Sequence, residues 1–132
     1  MSLRVLIADD VPTVQVGLRV LLEQQVGIEV VGDVVDAAQL LGHVQAVCPD
    51  LLLLGWELPG LVGADLLPAL QRICPNLLVI VLSGRSGARP AALDAGADAF
   101  VSKVAPPEGL LATILSISSV KKTKQHSVQS GG

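Results

Sequence analysis

The sequence predicts a three-layer α/β fold, a doubly wound parallel sheet of five strands with helices on both faces. Three observations carry that prediction. Short apolar runs alternate with segments of helical period along 132 residues, which is the signature of repeated βα units. The runs are apolar throughout instead of alternating with polar residues, as expected of strands covered on both sides. Two segments also echo each other, Val47-Cys48-Pro49-Asp50-Leu51-Leu52 and Ile73-Cys74-Pro75-Asn76-Leu77-Leu78. Each reads as a helix end, a proline stop and a strand start, hence two successive αβ units.

The elements follow in order. Arg4 to Ala8 is the first strand. Pro12 to Gln25 is a helix, with Val14, Leu18, Leu21 and Leu22 at helical spacing. Ile28 to Val34 is the second strand. Asp36 is an N-cap for a helix carrying Leu40, Leu41, Val44 and Val47, since its carboxylate can accept a free N–H of the first turn. Leu51 to Leu54 is the third strand, and Ala64 to Ile73 the third helix. Leu78 to Leu82 is the fourth strand, followed by a short helix over Ala91 to Ala95. Ala99 to Ser102 is the fifth strand. Pro107 to about Ser118 is the last helix, with proline near its start, where a missing N–H costs nothing.

Length and composition restrict what this chain can be. One domain over residues 1–119 accounts for nearly all of it. Residues 120–132 are polar, carry Lys121, Lys122 and Lys124, and read as a disordered tail or linker. Hydrophobic residues make up 51% of the chain and charged residues 16%. Trp56 and Phe100 are the only aromatics, so the core is built from Leu, Val, Ile and Ala. A net charge of −3 argues against a nucleic-acid footprint. No apolar run approaches the roughly 20 residues needed to span a bilayer. A strand begins almost at the N-terminus, so no signal peptide is expected. Cys48 and Cys74 are expected to be small buried hydrophobes in a reducing compartment, not a disulfide or a zinc pair. His43 and His126 have no evident partners.

In an open parallel sheet, sites form at the carboxyl ends of the strands, near the switch in strand order. The first strand ends there in Asp9 and Asp10 and the third in Gly55. The fourth ends in Ser83 followed by Gly84, and the fifth in Ser102 and Lys103. Singly each is weak, because an acidic pair often caps a helix and a lone lysine is usually on the surface. Their succession on neighbouring strand ends is what favours a site.

These motifs resemble the receiver domain of bacterial two-component response regulators. The resemblance rests on Val5-Leu6-Ile7-Ala8-Asp9-Asp10, on Pro49-Asp50 through Leu58-Pro59-Gly60, on Val79-Ile80-Val81-Leu82-Ser83-Gly84, and on Ala95-Gly96-Ala97-Asp98-Ala99-Phe100-Val101-Ser102-Lys103. It covers about residues 4 to 118. Ala105-Pro106-Pro107-Glu108 after the lysine looks most like receivers joined to LuxR-type helix-turn-helix domains. The resemblance implies a flavodoxin-like (βα)5 sheet of order 2-1-3-4-5. It matches Asp9 and Asp10 to an acidic pair that holds a divalent cation, with the backbone carbonyl of Glu57 as a further ligand. Ser83, with Gly84 beside it, matches the hydroxyl position that turns towards a phosphoryl group. Phe100 matches an aromatic that swings inward with it, and Lys103 a lysine that pairs with phosphoryl oxygens. In that family an aspartate accepts the phosphoryl group where this chain has Gly55.

Glycine has no carboxylate, so no acyl phosphate can form at residue 55. One metal ligand is lost as well, so a Mg²⁺ site is expected to be weakened. Lys103, without its usual partner, is free to pair with Asp9 or Asp10. Glu57 is expected to point away from the position of residue 55, and Asp50 lies at the opposite end of its strand. Gly84 to Pro90 is short for the family and rich in Gly, Ala and Pro, so the fourth helix is expected to be short. Arg85 and Arg89 read either as partner contacts or as solvated loop residues.

The expected function is therefore a degenerate, cytoplasmic receiver: not an enzyme, without phosphorylation at residue 55, binding a protein partner such as an output domain. The resemblance also implies homodimerisation through the face from the fourth helix to the fifth. No nucleic acid or membrane partner is expected for this chain. The alternatives are a receiver phosphorylated at another residue and a small-anion sensor using the vacated pocket.

Overall fold

The structure is a computed structural model that describes residues 2–60, 63–85 and 87–118. The expected tail at 120–132 lies outside the described residues. The elements are β1 (Leu3–Ala8), α1 (Pro12–Glu23), β2 (Ile28–Val34), α2 (Ala37–Val47), β3 (Leu51–Gly55), α3 (Gly63–Ile73), β4 (Leu78–Ser83), α4 (Ala88–Asp94) and β5 (Ala99–Ser102). A last helix, α5, covers residues 107–118. All strands are parallel, in the order β2-β1-β3-β4-β5.

Side chains of successive strand residues point to opposite faces, and the core divides accordingly. Leu6, Ala8, Leu52, Leu54, Val79 and Val81 face α2, α3 and α4, where they meet Leu40, Val44, Leu67, Leu70 and Ala92. Val5, Ile7, Leu51, Leu53, Ile80 and Leu82 face α1 and α5, against Leu22, Leu110 and Ile114. Every residue of β3 is buried, as its central place requires. Each fully buried leucine there contributes on the order of 2 kcal/mol by transfer from water. The register sets Leu51 beside Leu78 and Gly55 beside Leu82, so strand ends level with one another form a rim.

The termini of the elements have local causes. Asp36 caps α2, its Oδ1 accepting the Gln39 N–H at 2.8 Å, and the Gln39 side chain accepts Val35 N–H at 3.1 Å in return. At the other end of α2, Cys48 takes a left-handed conformation, φ 42°, and Pro49 stops the helix. Pro68 interrupts the hydrogen-bond ladder inside α3. As expected from its Gly, Ala and Pro content, α4 is short, with seven residues.

The cysteine expectation is overturned. Cys48 and Cys74 form a disulfide with a Cα–Cα distance of 5.9 Å, and Cys48 is exposed. The reason lies in the echoed segments. They precede β3 and β4, which are neighbours in parallel register, so the ends of α2 and α3 arrive side by side with one cysteine each.

Candidate functional site

The rim at the carboxyl ends of β1, β3, β4 and β5 gathers Asp9, Gly55, Glu57, Ser83 and Lys103. Gly55 closes β3 with a buried backbone. The loop after it is held by the sheet and by its neighbours. Trp56 N–H donates to Leu82 O at 2.9 Å, Leu58 N–H to Gly55 O at 3.1 Å, and Ala37 N–H to Pro59 O at 3.0 Å. On the other side, Lys103 N–H donates to Ser83 O at 2.9 Å, which fixes the start of the lysine side chain beside β4.

Asp9 is the centre of the arrangement. Its side chain is 1% exposed. Oδ1 accepts the Val11 N–H at 2.9 Å, which helps to start α1, whose N-cap has no side-chain cap of its own. Oδ2 lies 2.7 Å from Lys103 Nζ. Oδ2 is buried and takes no directional hydrogen bond among the described residues, so this contact is an ion pair in a poorly hydrated place. A Cβ built on Gly55 would stand 2.5 Å from Asp9 Oδ2 and 3.2 Å from its Cγ. The Asp9 carboxylate thus fills the volume in which a side chain at residue 55 would begin. Of the two expected lysine partners, Asp9 is the one the structure selects, and Asp10 is exposed.

A second group stands beside it. Ser83, fully buried, donates from Oγ to Glu57 Oε2 at 2.9 Å. Arg85 donates its backbone N–H to Ser83 Oγ at 3.0 Å and a guanidinium N–H to Glu57 Oε2 at 3.2 Å. The Glu57 side chain is directed to Ser83 and Arg85. The turn after Gly55 carries it across the end of β4, where a buried hydroxyl and an arginine need an acceptor. Arg85 is engaged there while its side chain stays largely exposed, 71%. Gly84 is exposed beside this group. Phe100 is partly buried and packs on the α2–α3 side of the core.

Sequence reasoning missed Gln15. Its amide donates to Asp9 O at 2.5 Å and to Val34 O at 3.0 Å, tying the ends of β1 and β2 together. One polar residue in a first helical turn carries no signal that sets it apart. Asp50 is where expected, at the opposite pole, accepting Arg4 N–H at 2.9 Å.

The donor set does not fit a divalent cation as it stands. One oxygen of Asp9 is committed to a backbone N–H and the other faces an ammonium, so an ion drawn to Asp9 would meet a positive charge already in place. Among the described residues, no group of three or more His, Cys, Asp or Glu side chains is arranged to hold a metal. No described helix is long and apolar enough to cross a membrane.

Comparison with known proteins gives a consistent result. Residues 5–115 match the family model described as response regulator receiver domain. The chain is 35% identical over 113 residues to the nitrate/nitrite response regulator protein NarP of Escherichia coli, covering 84% of this chain and 53% of that protein. It is 28% identical over 118 residues to the probable transcriptional regulatory protein SgaR of Hyphomicrobium methylovorum, covering 56% of it. The chain thus spans about half the length of these relatives. Among solved structures, the signal receiver domain of the putative response regulator NarL from Mycobacterium tuberculosis superposes with a TM-score of 0.80 at 27% identity, over 89% of this chain and 97% of that one. RcsB from Salmonella enterica serovar Typhimurium, bound to promoter rprA in the presence of phosphomimetic BeF3⁻, superposes with a TM-score of 0.80 at 28% identity, over 90% of this chain and 61% of that one. With the sheet order and the rim of strand-end residues, these matches assign the chain to the response regulator receiver domains of two-component systems, of the NarL and LuxR type.

Proposed function

We propose that this receiver works without phosphorylation at residue 55, as a regulatory module that acts by binding a protein partner. One observation carries the reading: the Asp9 carboxylate occupies the place of a residue-55 side chain and holds Lys103 at 2.7 Å. A phosphorylation switch needs an acceptor and a cation waiting for the new charge. Gly55 supplies no acceptor, and the cation is already neutralised. The Glu57–Ser83–Arg85 group is likewise satisfied internally. The filled volume weighs against an anion sensor built on the same pocket. Glu57 and Ser83, bonded to each other, are poor replacement acceptors. An output domain outside the described residues, self-association and a cytoplasmic setting complete the proposal; the first is supported by a relative named as a probable transcriptional regulatory protein, of whose length this chain covers about half.

The test is incubation of the chain and of Gly55→Asp with acetyl phosphate and Mg²⁺, followed by intact mass measurement. The expected outcome is a phosphoryl adduct on Gly55→Asp alone. An adduct on the unmodified chain overturns the reading, and peptide mapping then identifies the acceptor. Trp56 lies beside Gly55 and reports cation binding by fluorescence. Mg²⁺ is expected to bind Gly55→Asp more tightly, and equal affinities would remove the metal part of the argument.

A further inference from the structure

We propose that Cys48 and Cys74 form a reversible thiol–disulfide exchange site at the amino pole of the sheet. Its oxidant is a low-molecular-weight disulfide of the glutathione class, and Cys48 is its point of entry. The proposal is independent of the reading of Gly55.

The two sulfurs differ in access. Cys48 is exposed, whereas Cys74 is 2% exposed. An incoming disulfide can therefore reach Cys48 and not Cys74. Arg4 lays its guanidinium on the carbonyls of Val47 and Cys48, at 2.8 and 3.2 Å. That positive charge offsets the negative end of α2, which would otherwise disfavour a Cys48 thiolate. Cys48 and Cys74 border, with Asp50 and Asn76, a concavity of about 260 Å³ that gives a small thiol room to approach. The backbone also accommodates both redox states. The Cα–Cα distance of 5.9 Å lies within the range a disulfide needs. In the reduced state Cys74 Sγ, 3.6 Å from Val44 O, has a carbonyl to which its S–H can donate, so opening the bond leaves no buried thiol without a partner.

The chemistry balances in two exchanges. Cys48 thiolate attacks one sulfur of the small disulfide, expelling one thiolate and leaving a mixed disulfide on Cys48. Cys74, after losing its proton to solvent, attacks Cys48 Sγ and expels the second thiolate. Two protein thiols are oxidised by two electrons, and one small disulfide is reduced to two thiols. The closed ring, residues 48 to 74, contains β3, Gly55, the loop with Glu57, and α3. Closure thus joins the two ends of the βα unit that forms the middle of the rim, and restrains local opening of α3.

The experiment equilibrates the chain in glutathione buffers from reducing to oxidising, quenches with an alkylating agent, and reads intact mass. The expected result is a reversible conversion from a doubly alkylated form to an unalkylated form whose mass is two hydrogens below that of the unalkylated dithiol. Cys74→Ser is expected to stop at a glutathione adduct on Cys48, and Cys48→Ser to form none while folded. Amide exchange in α3 is expected to be about tenfold slower in the oxidised protein. Two thiols that remain alkylatable in oxidised glutathione would overturn the proposal, as would a bond that stays closed in excess dithiothreitol under native conditions. Adduct formation on Cys48→Ser would overturn the order of attack, and equal exchange in α3 would overturn the reach of closure to the rim. The wild-type titration decides the main claim even if a variant does not fold.

Discussion

The two poles of the sheet are closed by different means. At the carboxyl pole, closure is electrostatic: Asp9 meets Lys103, and Glu57 meets Ser83 and Arg85. At the amino pole it is covalent and backbone-directed: a disulfide joins α2 to α3, Arg4 holds two carbonyls, and Asp50 accepts Arg4 N–H. β3 runs from one pole to the other, and the same βα unit supplies Cys48 and Cys74 at one end and Gly55 and Glu57 at the other. The difference teaches where each kind of interaction is effective. A buried ion pair demands a partner for every charge, while a covalent tie acts mainly on the unfolded chain.

Breaking the amino pole should have the largest effect. Reduction of the disulfide, or Cys48→Ser with Cys74→Ser, removes a closed loop with a sequence separation of 26. The chain-entropy estimate for such a loop is about 3.5 kcal/mol, roughly 10 °C or more in Tm for a domain of this size. Scanning calorimetry of the oxidised protein with and without reductant measures it, and coincident curves would show that the tie carries no stability.

At the carboxyl pole, Lys103→Met leaves a carboxylate with 1% exposure without its counter-charge. The expected loss is about 3 kcal/mol, read from urea unfolding. Asp9→Asn with Lys103→Met should recover most of that loss. If it does not, Asp9 matters as the cap of α1 and not through its charge.

Gly55→Ala sharpens the comparison further, because two effects oppose. Alanine lowers the entropy of the unfolded chain, a gain of about 0.5 to 1 kcal/mol. Its Cβ displaces the Asp9 carboxylate, a cost of about 1 to 3 kcal/mol for overpacking. A net loss near 1 kcal/mol is expected, again from urea midpoints, and a stabilised variant would mean that Asp9 yields freely.

Away from both poles, Arg19 gives the smallest effect. Its guanidinium is held above its ordinary pKa, chiefly by the hydrogen bond to Asp33, with Glu23 adding to it. A raised folded pKa contributes stability that is fully present below the unfolded value and is lost only as pH rises through the folded one, so the arginine adds no pH dependence near neutrality. The groups are more than a third exposed. After solvent screening, Arg19→Ala should cost no more than a few tenths of a kcal/mol, and 1 M salt should mask it.

The fold was legible because its signals are local. Uniform apolar strands, the Asp36 cap and the proline stops at Pro49 and Pro75 each act within a few residues, and the elements begin and end within about two residues of their expected bounds, except α4, which begins at Ala88 and not at Ala91. The strand-end residues were legible as a set because the topology gathers them. What lay hidden depended on side-chain paths across the sheet. Whether Glu57 reaches Ser83 is decided by a turn whose conformation no single residue dictates. Gln15 resembles any exposed helical glutamine. The disulfide did have a signal, in the two Cys-Pro segments before adjacent parallel strands. Composition carries no information on that pairing, because the disulfide depends on which helix ends the sheet brings side by side.

The carboxylate resting over Gly55 limits what residue 55 can become. A glycine beside empty space accepts a small side chain without disturbance, but here the Asp9 carboxylate stands where the first side-chain atom would lie. Any side chain at residue 55 therefore requires Asp9 to withdraw and its contact with Lys103 to shift in the same event. One substitution at this position is a change at three residues.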